Sequence, residues 1–420
     1  MKASILINNI KTIYTPFHQP PVRGKKMNEI KIINQAFIAI KDDVILDFGQ
    51  GNGDSYIDRY TQVVDAHQLI CIPGLIDSHT HLVHAGSRED EFKKLQMGIP
   101  YLDILNAGGG ILGTVEKTRA SSFEELYEKA YHSLNQMMSY GVTTVESKSG
   151  YGLNLETEIK QLKVNYELNR NHKVNLHSTY MGAHALPKSH VNHRDKYLLE
   201  LKEDMKEIKS LNLAESVDVF CEEGVFSLAE TKDLLTHAKS LGFNIKMHAD
   251  EIHPLGGAGL GVELGCSSVD HLMAIKDEDI DILSKSNTVA NLLPGTSFYL
   301  KKKYANARKM IDQGVAVSIA GDYNPGSCPT ENFQFIMQLA SRELQMTSAE
   351  ILNAVTINPS YHLGISQKEG SIELGKDANF VLLNAPNLDY LFYHFGINHT
   401  KEVYIKGKHV FSQGQIVREI

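Results

Sequence analysis

A chain of 420 residues, 42% hydrophobic and 22% charged, can bury a sizeable core and is too long for one ordinary domain, so a large barrel or two domains are expected. Its 42 Lys+Arg against 50 Asp+Glu give a net charge of -8, which leaves no cation excess for a nucleic-acid backbone. Apolar runs such as that around Leu69 to Ile76 are broken by Pro and Gly and fall far short of the roughly 20 residues that span a bilayer.

Met1 to Ile10 has no long apolar stretch or small-residue cleavage site, so export is not expected. Four cysteines, Cys71, Cys221, Cys266 and Cys328, stand far apart without a C-x-x-C pair, which suits a reducing, cytoplasmic setting. From Met1 to Leu69 short β-rich runs (Ser4 to Ile7, Ala36 to Ile40, Val44 to Phe48, Val63 to Val64) alternate with Gly, Asn and Asp. The tail from about Gly370 repeats this style at Asn379 to Leu383, Val403 to Ile405 and His409 to Phe411. The two ends are therefore expected to form one composite β-sandwich domain, residues 1–70 with 365–420.

Between them, apolar β-type runs alternate with helical patterns, the mark of parallel strands joined by crossover helices. Eight strands are expected, ending near Ile76-Asp77, Val145-Glu146, Leu176-His177, Phe220-Cys221, Lys246-Met247, Val269-Asp270, Leu292-Leu293 and Ile319-Ala320. That describes an α/β fold, a (β/α)8 TIM-like barrel over residues 71–364. Phe123, Leu126, Ala130, Leu134 and Met137 share one helix face and are expected to pack in the core, while Glu200 to Lys209 reads as a solvated helix face. Gly108 to Gly113 satisfies G-x-G-x-x-G, but Tyr101 to Asn106 before it reads as helix and not strand. The glycines are expected to form a mobile loop over the barrel mouth.

His79-Thr-His81 could place two imidazoles on one metal, because alternate residues of a strand point the same way. Alone the motif is weak, since 19 histidines in a chain of this length produce roughly one H-x-H by chance. Its position strengthens it: the run Ile72 to Ile76 leads into it, which puts the pair at the C-terminal end of the first barrel strand, where barrel active sites are built. His84 lies off the alternation and reads as structural. Strands five, six and eight end in the same way, in His248, in Asp270-His271 and in Asp322. Buried polar tips of this kind need partners, so packing alone does not account for the set.

Pro73-Gly-Leu-Ile-Asp-Ser-His-Thr-His-Leu82 with Ala85-Gly-Ser-Arg88, Glu146-Ser-Lys-Ser-Gly-Tyr-Gly152, Met181-Gly-Ala-His184, His248-Ala-Asp-Glu251, Asp270-His271 and Gly321-Asp-Tyr-Asn-Pro-Gly326 carry a resemblance. On these segments the chain resembles the amidohydrolase superfamily of metal-dependent hydrolases, and within it the imidazolonepropionase family. The resemblance implies His79, His81, His248 and Asp322 as ligands of zinc or iron. Many relatives bridge two metals with a modified lysine at the end of strand four, but here that strand leads into Cys221-Glu-Glu-Gly224, so one ion per subunit is expected.

The implied reaction is hydrolytic opening of 4-imidazolone-5-propanoate to N-formimidoyl-glutamate by a metal-activated water. Glu251, three residues beyond His248, can take the water proton and return it to the leaving nitrogen while contacting the ring; His271 and Asp322 can orient the water and polarise the carbonyl. Arg88, Tyr151 and His184 are implied to bind the propionate and ring, with Asn324, Gly326 and Ser327 facing the ring or the opened product. A guanidinium suits a carboxylate through its bidentate fork. The partner expected is thus a small anionic imidazolone, with a homodimer expected only from the superfamily. A sibling base deaminase or another cyclic amidase shares the same ligands, and a catalytically silent barrel acting as a regulator is the alternative from another class.

Overall fold

In the computed structural model, residues 1–99, 109–413 and 415–416 are described. The eight expected barrel strands are all present, as Leu75–Thr80, Val142–Lys148, Asn175–Ala183, Ser216–Cys221, Asn244–Ala249, Ser268–His271, Val289–Leu292 and Val317–Ile319. Each pairs in parallel with the next in chain order. The first and last meet at their C-terminal ends, where Asp322 N donates to His79 O and His81 N donates to Tyr323 O, both at 2.9 Å. That closure sets the His79–His81 pair directly against Asp322.

Helices cover the barrel as the hydrophobic spacing requires. In Phe123–Ser139, Leu126, Ala130, Leu134 and Met137 are buried, and a capping box between Ser122 and Glu125 starts the helix. Each large apolar side chain buried this way contributes about 1.5–3 kcal/mol. The charged stretch from Glu200 lies in Arg194–Ser210, which buries Tyr197, Leu201, Met205 and Ile208 and turns its remaining face outward.

The two chain ends build one nine-stranded mixed sheet. Ile70–Pro73 lies at its centre, antiparallel to Phe380–Leu383 and parallel to Ile5–Thr15. At the far edge Val44 bridges to Asp377, just ahead of Phe380–Leu383, so the sheet curls back on itself around Ile7, Ile10, Ile38, Ile40, Phe380 and Leu382. Asn8 and Asn9 do not end the first strand: it runs on to Thr15 through a register shift, with Asn9 at φ +55°.

The run Ile72 to Ile76 is divided between the two sheets, since Ile70–Pro73 pairs outside and the barrel begins at Leu75. Gly74 separates them, and a Cβ there would stand 2.1 Å from Thr143 Oγ1, which is why the crossing needs glycine.

The glycine-rich segment differs from expectation. Gly110–Ala120 is an α-helix with Gly109 at its N-cap; Gly108 and the stretch Tyr101 to Asn106 lie outside the described residues. Tertiary contacts outweigh the poor helix propensity of glycine here: Val115, Thr114 and Thr118 are buried, and Gly110 N donates to Glu91 at 2.9 Å. Among the described residues no helix is long and apolar enough to cross a membrane. All four cysteines are buried and free.

Candidate active site

The strand ends bring His79, His81, His248, His271 and Asp322 into one cluster, each at most 3% exposed. Ligand atoms of His79, His81 and His248 lie within 4.8 Å of one another, and so do those of His79, His271 and Asp322. Asp322 Oδ1 faces His79 Nε2 at 3.6 Å and His81 Nε2 at 3.7 Å. Asp322 at φ +56° and His271 at φ +78° both take left-handed backbone, a local strain that the surrounding contacts hold in place.

His79 Nε2, His81 Nδ1, His248 Nε2 and His271 Nδ1 are buried without hydrogen-bond partners among the described residues. An unpaired buried nitrogen costs about 1–3 kcal/mol. A cation among them removes that cost at His79 and His248, and imidazole nitrogens with a carboxylate oxygen are the donor set of a divalent transition metal. The residues therefore fit a metal.

The far nitrogens of two rings are held from behind. His79 Nδ1 lies 2.5 Å from Asp270 Oδ2, and His248 Nδ1 lies 3.0 Å from Asp218 Oδ1. With the proton on Nδ1, each ring turns the lone pair of Nε2 inward. Burial keeps His79, His81 and His271 well below the usual imidazole range, so these rings are neutral. At His248 burial pulls the same way, but the Asp218 carboxylate outweighs it and raises the ring.

Glu251 Oε2 lies 3.6 Å from His271 Nε2. Burial first, and then the Asp322 charge, raises its carboxyl to about 8. Asp322 Oδ2 accepts from the Thr296 hydroxyl and, at 3.3 Å, from Ser327 Oγ.

Arg88 Nε donates to Thr114 Oγ1 at 2.9 Å, and its Nη1 lies over Gly326, where an added Cβ would stand 2.4 Å away. Tyr151 is buried with its ring centroid 5.7 Å from His81 and 5.3 Å from His184. His184 stacks on His81 at 4.8 Å and 10°, and its Nδ1 donates to Gly150 O at 3.0 Å. Burial lowers this ring to about 3, so Nε2 stays an acceptor.

Asn324 uses all four of its hydrogen-bonding positions within its own loop. Its Oδ1 accepts from Gly326 N and Ser327 N at 2.8 Å each, and its Nδ2 donates to Asp322 O at 2.7 Å and Ser327 Oγ at 2.8 Å. His84 donates through Nδ1 to His81 O at 2.8 Å and packs on Tyr151 and Tyr323.

Comparison with known proteins agrees with this geometry. Residues 70–410 match the Amidohydrolase family. The chain is 48% identical to the imidazolonepropionase of Alkaliphilus oremlandii over 99% of its own length and 100% of the relative's. It is also 48% identical to that of Fusobacterium nucleatum, over 98% of this chain and 100% of the other. The chain belongs to the imidazolonepropionase family of the amidohydrolases. Among solved structures, a zinc-bound adenosine deaminase from Xanthomonas campestris superimposes with a TM-score of 0.72 at 16% identity, over 100% of this chain and 95% of that one. At that identity it shares the fold.

Sequence reasoning singled out Asp270 as a strand end but missed the layer of charge it belongs to, just beneath the histidines. Glu146, Lys148, Asp218, Lys246 and Asp270 are all 0% exposed. Lys148 Nζ donates to Asp218 Oδ2 at 2.8 Å and to Glu146 Oε1 at 3.0 Å, and Lys246 pairs with Glu146 Oε2 at 2.9 Å. A signal was available, because each is a charge inside an apolar strand, and Lys246 with His248 keeps the two-residue period of an inward face.

Proposed function

We propose that the protein opens the ring of 4-imidazolone-5-propanoate by adding water across its amide C–N bond, giving N-formimidoyl-L-glutamate in histidine breakdown. The observation that carries this reading is near-half identity with imidazolonepropionases along the full length of both chains. One zinc or iron ion, held by His79, His81, His248 and Asp322, is the cofactor in this reading; the zinc bound by the deaminase of the same fold supports that choice. When bound, the ion acidifies a water and polarises the ring carbonyl.

The residues of the chain do the rest. In its carboxylate form Glu251 takes a proton from the attacking water and returns it to the ring nitrogen as the C–N bond breaks. His271, 3.6 Å from Glu251, directs that carboxyl and the water. Asp322, besides ligating, orients the water. Arg88 clamps the propionate through its guanidinium fork, Tyr151 and His184 line the ring, and Asn324 shapes the loop that offers Gly326 and Ser327 to the substrate. Burial of the cluster excludes bulk water, which strengthens each of these electrostatic contacts. Four free buried thiols accord with a cytoplasmic setting.

The test is turnover of 4-imidazolone-5-propanoate by the metal-loaded protein, with N-formimidoyl-glutamate identified by mass. Faster turnover of cytosine, guanine or a hydantoin rejects the substrate assignment and leaves a sibling amidohydrolase.

A further inference from the structure

We propose that Lys148 is a positioning residue for the metal: its ammonium group is hydrogen-bonded to the carboxylate that aims His248 and lies in ionic range of the one that aims His79, so that the two rings present Nε2 to the same point. The inference rests on the ligand set proposed above.

Three observations converge on this lysine. It sits at the end of the second barrel strand, fully buried, and donates to Asp218 Oδ2 at 2.8 Å. Asp218 uses its other oxygen for His248, accepting from Nδ1 at 3.0 Å and from the backbone N at 3.2 Å. The same ammonium lies 4.0 Å from Asp270 Oδ2, the oxygen that holds His79 Nδ1 at 2.5 Å.

The lysine on strand two thus ties strands four and six, and through them the ligands on strands five and one. A compact ammonium can donate to Glu146 and Asp218 while keeping its charge near Asp270, a placement that a planar guanidinium does not reproduce. Orienting carboxylates of this kind govern how well a histidine ligates. Asp270 also accepts from Ser268 Oγ at 2.7 Å and Asn291 Nδ2 at 3.2 Å, so loss of the lysine falls first on Asp218: that carboxylate can turn away, and His248 turns with it.

A lysine that merely balanced buried negative charge would behave like its neighbour. Lys246 is equally buried and is paired with Glu146 Oε2 at 2.9 Å, outside the hydrogen bonds that hold His79 and His248. It is the internal control, because removing either ammonium takes one cation out of the same buried network and costs stability.

The experiment compares Lys148→Met and Lys246→Met with the parent. Each metal-free protein is titrated with Zn²⁺ against a chromophoric chelator, and circular dichroism and thermal unfolding are recorded on the same samples. Lys148→Met is expected to weaken zinc by roughly 10- to 100-fold, and Lys246→Met by no more than about threefold although both lower Tm. Parental zinc affinity in folded Lys148→Met, or equal losses in the two variants, overturns the proposal.

Should Lys148→Met not fold, the pair Lys148→Met with Asp218→Asn removes one charge of each sign. It is expected to hold zinc no tighter than Asp218→Asn alone, and parental affinity in it overturns the proposal. His248→Ala separates the two levels of inference. Retained zinc there removes the ligand reading and this proposal with it. Lost zinc there beside parental affinity in Lys148→Met removes this proposal alone.

Discussion

Thr296 donates its hydroxyl to Asp322 Oδ2 from the first turn of the helix Pro294–Leu300, so the opposite oxygen of that carboxylate is the one turned toward His79 and His81. The hydroxyl is fully buried and therefore has no solvent alternative. Thr296→Val keeps the shape and removes the donor. A hydrogen bond to a charged group is worth about 1.5–3 kcal/mol, so metal affinity should fall by about tenfold or more while the fold is retained. Metal titration of the variant checks this, and parental affinity would remove Thr296 from the site.

Metal stoichiometry follows from the way the two donor groups overlap. His79 belongs to both, and all the ligand atoms in each lie within 4.8 Å of one another, room for one centre. Elemental analysis should give about one ion per chain, and His248→Ala or Asp322→Ala should lose it because three-ligand remnants bind far more weakly. Two tightly held ions per chain would contradict the single-centre reading.

Glu251 offers a test of the proton path separate from that of the metal. Its carboxyl lies 3.6 Å from His271 and is not among the clustered ligand atoms. Glu251→Gln should therefore lower kcat by about 10²- to 10⁴-fold with metal content unchanged. Near-parental turnover would transfer the proton task, with His271 the next group in reach.

Much of this arrangement was legible in the chain because barrel strands advertise their ends. His79, His248 and Asp322 each stand at or just past the end of a largely apolar strand, His271 closes the short strand Ser268–His271, and the fold collects those ends at one face. The charges of the buried layer stood in the strands, but their pairing was illegible for a physical reason: Lys148 and Asp218 are 70 residues apart, and a buried charge explains itself only through its partner. The helix at Gly110 was missed because local propensity speaks against glycine there, whereas the buried threonines and Glu91 that hold it are tertiary contacts. The closure between Thr80 and Tyr323, which sets the histidine pair against Asp322, likewise depends on residues far apart in sequence.

Arg88 carries the prediction that separates this enzyme from a base deaminase, because only a substrate with an anionic arm needs a guanidinium there. Arg88→Ala should cost about 1.5–3 kcal/mol of substrate binding, and Arg88→Lys should recover only part, since a point charge does not reproduce the fork. The structure adds a subtler variant. Gly326 lies under the guanidinium, and a Cβ there would stand 2.4 Å from Nη1, the far end of a flexible side chain. Gly326→Ala should thus leave the fold intact and push the guanidinium aside, raising KM for the propionate substrate. An imidazolone lacking the propionate should be a poor substrate for the parent and nearly indifferent to either change. Measuring kcat/KM for parent and variant on both substrates gives the coupling between arm and arginine. A coupling near zero in Arg88→Ala would show that the arginine does not read the carboxylate, whereas coupling there with none in Gly326→Ala would mean the guanidinium reaches the arm from elsewhere in the pocket.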